Sequence, residues 1–159
     1  RVLFRSISVY VLVCLIQFFL MLLVGIYFLP LLGLPAFVIG NNFPALLLML
    51  IASAFAATGY AFMVGSVFRS HHQAMVFGSV SVVILAAIGG VLVPVYVMPN
   101  IMQTLSVLSP LNWSLNGLNN VFLRQTGFSE ILPDILKLLA FFTVMIFVSV
   151  QLSRKSFTK

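Results

Sequence analysis

A chain of 159 residues that is 62% hydrophobic and only 6% charged, with a mean hydropathy of +1.23, lies far outside the composition of a water-soluble domain. Its net charge of +6 comes from a few residues scattered between apolar runs, not from a basic face, which argues against nucleic acid as a partner. A bilayer's hydrocarbon core, roughly 30 Å thick, takes about 20 helical residues to cross, so the apolar runs give about four spans in one membrane domain.

The first span is predicted over about 7–29, ending at Pro30, and an apolar connection punctuated by Pro and Gly follows. Because an arginine stands at position 1 with this span close behind, the chain reads as part of a longer protein. The run lacks a small-residue cleavage pattern and is too long for a signal core. The single cysteine, Cys14, lies inside it and excludes an internal disulfide.

A second span is expected over about 44–68, with Pro44 in its first turn, where the missing N–H costs little. Arg69, His71 and His72 close it. The third span, about 74–93, follows after a loop of about five residues, which implies an antiparallel helical pair. The last is placed at about 129–152, with Ser129 as N-cap, Glu130 and Asp134 near the positive end of the helix dipole, and Pro133 early enough to be tolerated.

Counting Lys and Arg at the span ends fixes an orientation. Arg1, Arg5, Arg69, Arg154, Lys155 and Lys159 fall on one side, against Arg124 and Lys137 on the other. The first side is expected to be cytoplasmic, with both ends of the chain on it and residues 94–128 outside.

Residues 94–128 are too apolar for a free loop and too interrupted for a straight span. A helix over about 99–108 would gather Ile101, Met102, Leu105 and Leu108 on one face. A second, opened by Ser109 and Pro110, would set Leu111, Leu115, Leu118 and Phe122 against Asn112, Asn116, Asn119 and Asn120. About 12 residues at 1.5 Å each reach only ~18 Å, so this helix lies on the interface or dips in and returns. The stretch GGVLVPVYVMP before it breaks the third span with Gly89, Gly90, Pro94 and Pro99. Broken backbone at membrane depth must be buried in protein or line a wet cavity, so the break is either a simple chain turn or a re-entrant pathway element.

This stretch, then LSPLNWSLNGLNNVFLR, then ILPDILKLLAFFTVMIFVSVQLSRK, resembles the C-terminal part of the membrane subunits of type 2 ABC exporters. Pro94 with Pro99, Pro110 with Trp113, and Arg154 with Lys155 occupy the places of that family's proline pair, "P-x-x-W"-like motif and basic tail. The resemblance implies the last four of six spans, with two spans and a cytoplasmic coupling segment preceding Arg1. It also implies an ATP-driven export permease whose ATP and Mg are bound by a separate ATP-binding subunit, with none on this chain, and a second permease copy or homologue as partner. A bacterial inner membrane is the expected location.

The resulting fold class is all-α, a polytopic transmembrane domain of four spans plus a short extracytoplasmic helical hairpin over about 99–124, re-entrant or interfacial. Gly89, Gly90, Pro94, Pro99, Asn112, Trp113 and Asn116 are the candidates for the translocation path or outer gate, and Trp113 and Tyr96 also suit interfacial anchoring. Ser53, Ala57, Ala61 and Gly65 form a small-residue stripe for helix packing, either within the subunit or along a dimer seam. His71 and His72 point about 100° apart with no third ligand near, so no metal site is expected. No catalytic set occurs, and the span interiors carry no ionisable relay. A carrier not driven by ATP, or a structural assembly subunit, is the alternative reading.

Overall fold

A computed structural model describes residues 2–33, 43–68, 70–124 and 127–156. The connection at 34–42 and the charges Arg1, Arg69 and Lys159 lie outside the described residues, as do the side chains of Arg154 and Lys155. Among the described residues every regular element is a helix.

Helix α1 (Val2–Leu23) continues through a π-helical turn, Val24–Phe28, into the single turn α2 (Leu29–Leu31). Pro30 therefore sits inside the rod's last turn, not beyond it, because the wider π turn relieves the clash its ring would make in an α-helix. Helix α3 is Phe43–Val67 and α4 is His71–Ile88. After a 3-10 turn at Val95–Val97 come two short helices, α5 (Asn100–Ser106) and α6 (Pro110–Phe122), and then α7 (Phe128–Ser156).

Four segments are long and apolar enough to cross a membrane: Arg5–Leu31, Phe43–Val67, His71–Ile88 and Phe128–Ser153. The third differs most from expectation, since α4 stops at Ile88 and not near 93. Its 18 residues at 1.5 Å each give ~27 Å, just under the ~30 Å of a hydrocarbon core. The chain thus breaks close to the far boundary of the apolar layer. At the other end, α7 begins at Phe128, with Ser129 inside its first turn, because the Glu130 N–H bonds the Gly127 carbonyl at 3.2 Å and closes the turn earlier.

Helix α3 is the hub, packing on α7, α1, α6 and α4. Its early turns supply Leu46, Met49, Leu50, Ala52 and Ala56 to a core completed by Val121 of α6 and by Ile131, Ile135 and Leu138 of α7. Farther along, Ala54 meets Ile7 and Val11 of α1, and Phe55 lies 5.1 Å from Phe142 between ring centres. Position numbers rise together on α3 and α7, from Phe55–Phe142 to Ser66–Ser149, so these helices run parallel. On α3 and α4 they run oppositely, with Tyr60 bonded to Ser81 and the Phe68 ring tilted against Phe77. Tyr10 meets Phe62 while Leu15, Phe18 and Leu22 pack on the core of the early α3 turns, so α1 is antiparallel to α3 as well. Four alternating crossings follow, with the start of α1 and the end of α7 on one side.

Two glycines permit the closest approaches. A Cβ on Gly59 would lie 2.7 Å from Phe142 Cδ2 and 3.3 Å from the Phe142 carbonyl oxygen, so α3 and α7 touch there backbone to backbone. Met49, fully buried, covers Gly117 of α6, where a Cβ would meet its sulfur at 2.6 Å. In lipid, where apolar burial gives little drive, such approaches and interhelical hydrogen bonds supply cohesion. Ser66 and Ser149 hydroxyls lie 2.6 Å apart, and Tyr60 donates to Ser81 at 2.6 Å.

Candidate functional site

The end of α4 and the start of α6 form one polar joint. Gly89 is the C-cap of α4, and Gly90 follows at φ +86°, a left-handed conformation that a Cβ disfavours. The Val91 N–H reaches back to the Ala86 carbonyl at 3.1 Å, the long bond of a Schellman ending. This chemistry, and not the prolines, stops the helix.

A helix end leaves carbonyls without intrahelical partners, and burying them unpaired is costly. Here α6 supplies a donor for the Gly89 carbonyl and a second donor for the Leu85 carbonyl, which already accepts from the Gly89 N–H at 2.8 Å. Ser109 Oγ donates to the Leu85 carbonyl at 3.1 Å and Asn112 Nδ2 to the Gly89 carbonyl at 3.2 Å. Asn116 Nδ2 in turn donates to Asn112 Oδ1 at 2.8 Å and fixes its orientation. Asn112 is only 5% exposed, and Gly89, Gly90 and Ser109 are buried with it.

One sequence expectation is corrected here. Ser109 holds the N-cap position with extended backbone, but its side chain makes no bond to its own helix; the hydroxyl is engaged by α4 instead. Asn112, opposite the leucine face of α6, is turned onto α4 by its bond to the Gly89 carbonyl. Leu118 and Phe122 pack against the main core, whereas Leu111 turns toward a cavity.

Pro94 and Pro99 are exposed and each precedes a short helix, Pro94 before Val95–Val97 and Pro99 before α5, so neither lies in the joint itself. Helix α5 packs on α4 and on the 3-10 turn, leaving Ile101 and Leu108 outward. Trp113 is half-buried: its Nε1 donates to the Val107 carbonyl at 2.7 Å and its ring meets the edge of Phe141 at 6.4 Å. Tyr96 is exposed.

Below the joint, a cavity of about 790 Å³ opens over α3, flanked by α4 and α1. Its floor carries Ser53, Ala57, Ala61 and Gly65, the small-residue stripe. Ser53 is buried and donates to Ser114 of α6 at 3.1 Å, while Ala57, Ala61 and Gly65 are exposed to the cavity, and nothing lies within 4 Å of a Cβ placed on Gly65. The α3 residues that pack tightly are their neighbours Ala52, Ala56 and Gly59. From α4 the cavity takes His71, Ala74, Gly78 and Leu85; from α1 it takes Tyr10 and Cys14. Pro110, Leu111 and Ser114 of α6 close the end next to the joint. No group of His, Cys, Asp or Glu that could hold a metal occurs among the described residues.

The family model of the ABC-2 type transporter matches residues 2–123, which takes in α1 to α6, the cavity and the joint. The chain belongs to the ABC-2 type transporter family. No curated protein matches the chain, and no solved structure does. As an ABC-2 membrane domain with four apolar crossings, it is a multi-pass membrane protein and a permease component of an ABC-type transporter, a transport part and not itself a catalyst. Permeases of the ABC-2 family work with ATP-binding subunits, usually as dimers.

The chain break is visible in the sequence, but the side-chain caps that Ser109 and Asn112 place on α4 and the Gly59 contact between α3 and α7 are not. A lone Ser before Pro is indistinguishable from any N-cap until the neighbouring helix end is located. Gly59 carried a weak signal, a glycine inside a long apolar run, which usually marks close packing in membrane helices.

Proposed function

We propose that this ABC-2 permease is the path-forming subunit of an ATP-driven exporter. The observation that carries the reading is the family match over residues 2–123. A partner subunit binds ATP and Mg and hydrolyses the nucleotide, no cofactor is held on this chain, and a second copy or homologue completes the membrane part. The Lys and Arg count at the span ends supports a cytoplasmic location for the start of α1 and the end of α7, and the family resemblance supports a bacterial inner membrane.

In this reading the cavity over α3 belongs to the substrate path. The outer gate is the joint of Gly89, Gly90, Asn112 and Asn116, with Pro94, Pro99 and Trp113 setting the chain around it. The exposed stripe of Ala57, Ala61 and Gly65 faces either the path or the second subunit.

Co-purification with the ATP-binding subunit in lipid vesicles tests the proposal. Partner ATPase activity should change on assembly with the permease; activity indifferent to this chain refutes the exporter reading. Gly89→Ala, whose Cβ would meet the Leu85 oxygen and Ser109 Oγ at 2.8 Å each, should impair transport more than membrane insertion. Equal transport at equal expression removes the joint from the gate.

A further inference from the structure

The first turn of α6 combines two properties that belong to different sites. Pro110, Leu111 and Ser114 line one end of the cavity, and in the same turn Ser109 and Asn112 donate to the Leu85 and Gly89 carbonyls at the end of α4. Ser114 is tied separately to Ser53 on α3. The wall is therefore pinned on two sides by side-chain hydrogen bonds to two different spans, and Asn116 orients the Asn112 amide that makes one of them.

We propose that Ser109 and Asn112 are positioning residues that form a latch. With their donors engaged on α4, the α6 turn closes the cavity; when α4 and α6 separate, the turn lifts and the cavity communicates with the outer side. This deepens the permease reading, on which it rests, by naming the contact that must break for the path to open. Separation is inexpensive because Leu85 O keeps its bond to the Gly89 N–H at 2.8 Å, and the Ala86 carbonyl keeps its bond to Val91. The helix ending survives without the latch, and only the Gly89 carbonyl, freed toward the newly admitted water, changes partner. A buried polar contact whose groups are re-solvated in the alternative state suits a reversible closure.

Cys14, the one cysteine of the chain, lines the same cavity from α1 and reports on it without any added thiol. The full chain is reconstituted in phosphatidylethanolamine–phosphatidylglycerol vesicles, and a charged, membrane-impermeant maleimide is applied from the α6 side. Ser109→Ala and Asn112→Leu should each raise the Cys14 labelling rate roughly fivefold, the shift in an opening equilibrium expected from one ordinary hydrogen bond. Ser109→Thr, which keeps the hydroxyl, should label as the parent does. Ser149→Ala removes a comparable bond to Ser66 from a residue outside the cavity lining, and should leave the rate unchanged.

Unchanged labelling in a Ser109→Ala chain of native helix content overturns the latch, and so does an equal rise in Ser149→Ala, which would mean general loosening. Should Asn112→Leu fail to insert, Ser109→Ala decides alone, since it removes a single oxygen. The labelling needs no nucleotide, so a failed latch beside intact ATPase coupling defeats the latch only, and lost coupling beside the expected labelling defeats only the exporter reading.

Discussion

Gly59 and Gly65 lie less than two turns apart on α3, and the same substitution should act on them with opposite sign. A glycine within a helix is about 1 kcal/mol less favourable than alanine, so Gly→Ala gains about that much wherever the new methyl has room. At Gly65 it has room, because nothing lies within 4 Å of the Cβ position. Gly65→Ala should therefore raise stability by about 0.5–1 kcal/mol.

At Gly59 the methyl would lie 2.7 Å from Phe142 Cδ2, 3.3 Å from the Phe142 carbonyl oxygen and 3.4 Å from its Cα. The ring can swing away, but its other side is packed on Phe55, and the two backbone atoms retreat only if α7 moves as a rod. Overpacking of this kind costs about 1–3 kcal/mol, which cancels or exceeds the propensity gain and leaves a net loss of up to about 2 kcal/mol. Equilibrium unfolding in mixed detergent micelles, followed by far-UV circular dichroism, measures both variants. Phe142→Ala should relieve Gly59→Ala specifically, giving a non-additive double-mutant cycle. A Gly59→Ala variant as stable as Gly65→Ala, or an additive cycle with Phe142→Ala, would refute the backbone contact between α3 and α7.

Gly90→Ala should destabilise by about 1–2 kcal/mol, since a left-handed residue gains a Cβ that would also press on Val95; Gly90→Asn should recover part of the loss, as read by the same unfolding assay. Ser149, 3% exposed and bonded to both Ser66 and the Phe62 carbonyl, should cost about 0.6–1.7 kcal/mol as Ser149→Ala, again by unfolding, and a neutral result would remove that contact from the cohesion of α3 and α7. The Asp134–Lys137 pair at 3.0 Å is predicted to matter little: the Lys137 side chain is 47% exposed, so Lys137→Met should shift stability by less than about 0.5 kcal/mol, and a larger change would place the pair away from water.

Asp134–Lys137 also shows what short-range spacing can reveal, because a pair three residues apart on one helix needs no knowledge of any other element. The chain break at Gly89 and Gly90 was legible for the same reason, as was the short helix opened by Ser109 and Pro110. The end of α4 was placed about five residues too late, since apolar residues continue through Val93 and hydropathy does not register the left-handed glycine that stops the helix. The small-residue stripe was legible as a stripe but not by what it faces. Residues four apart share a helix face, and the register of Ala57, Ala61 and Gly65 is equally compatible with a tight seam and an open cavity wall.

What the sequence determined by itself is the membrane class, the number of crossings and the existence of a broken segment between the third and fourth, because each follows from local apolarity, length and backbone chemistry. Only the tertiary structure decided that α3 is the hub and that Gly59 is its point of contact with α7. It also decided that Asn112 turns inward to cap α4 beside a cavity that α6 closes. Those outcomes depend on which helix ends meet, and an unpaired carbonyl on one helix selects its donor from another only once the chain has folded.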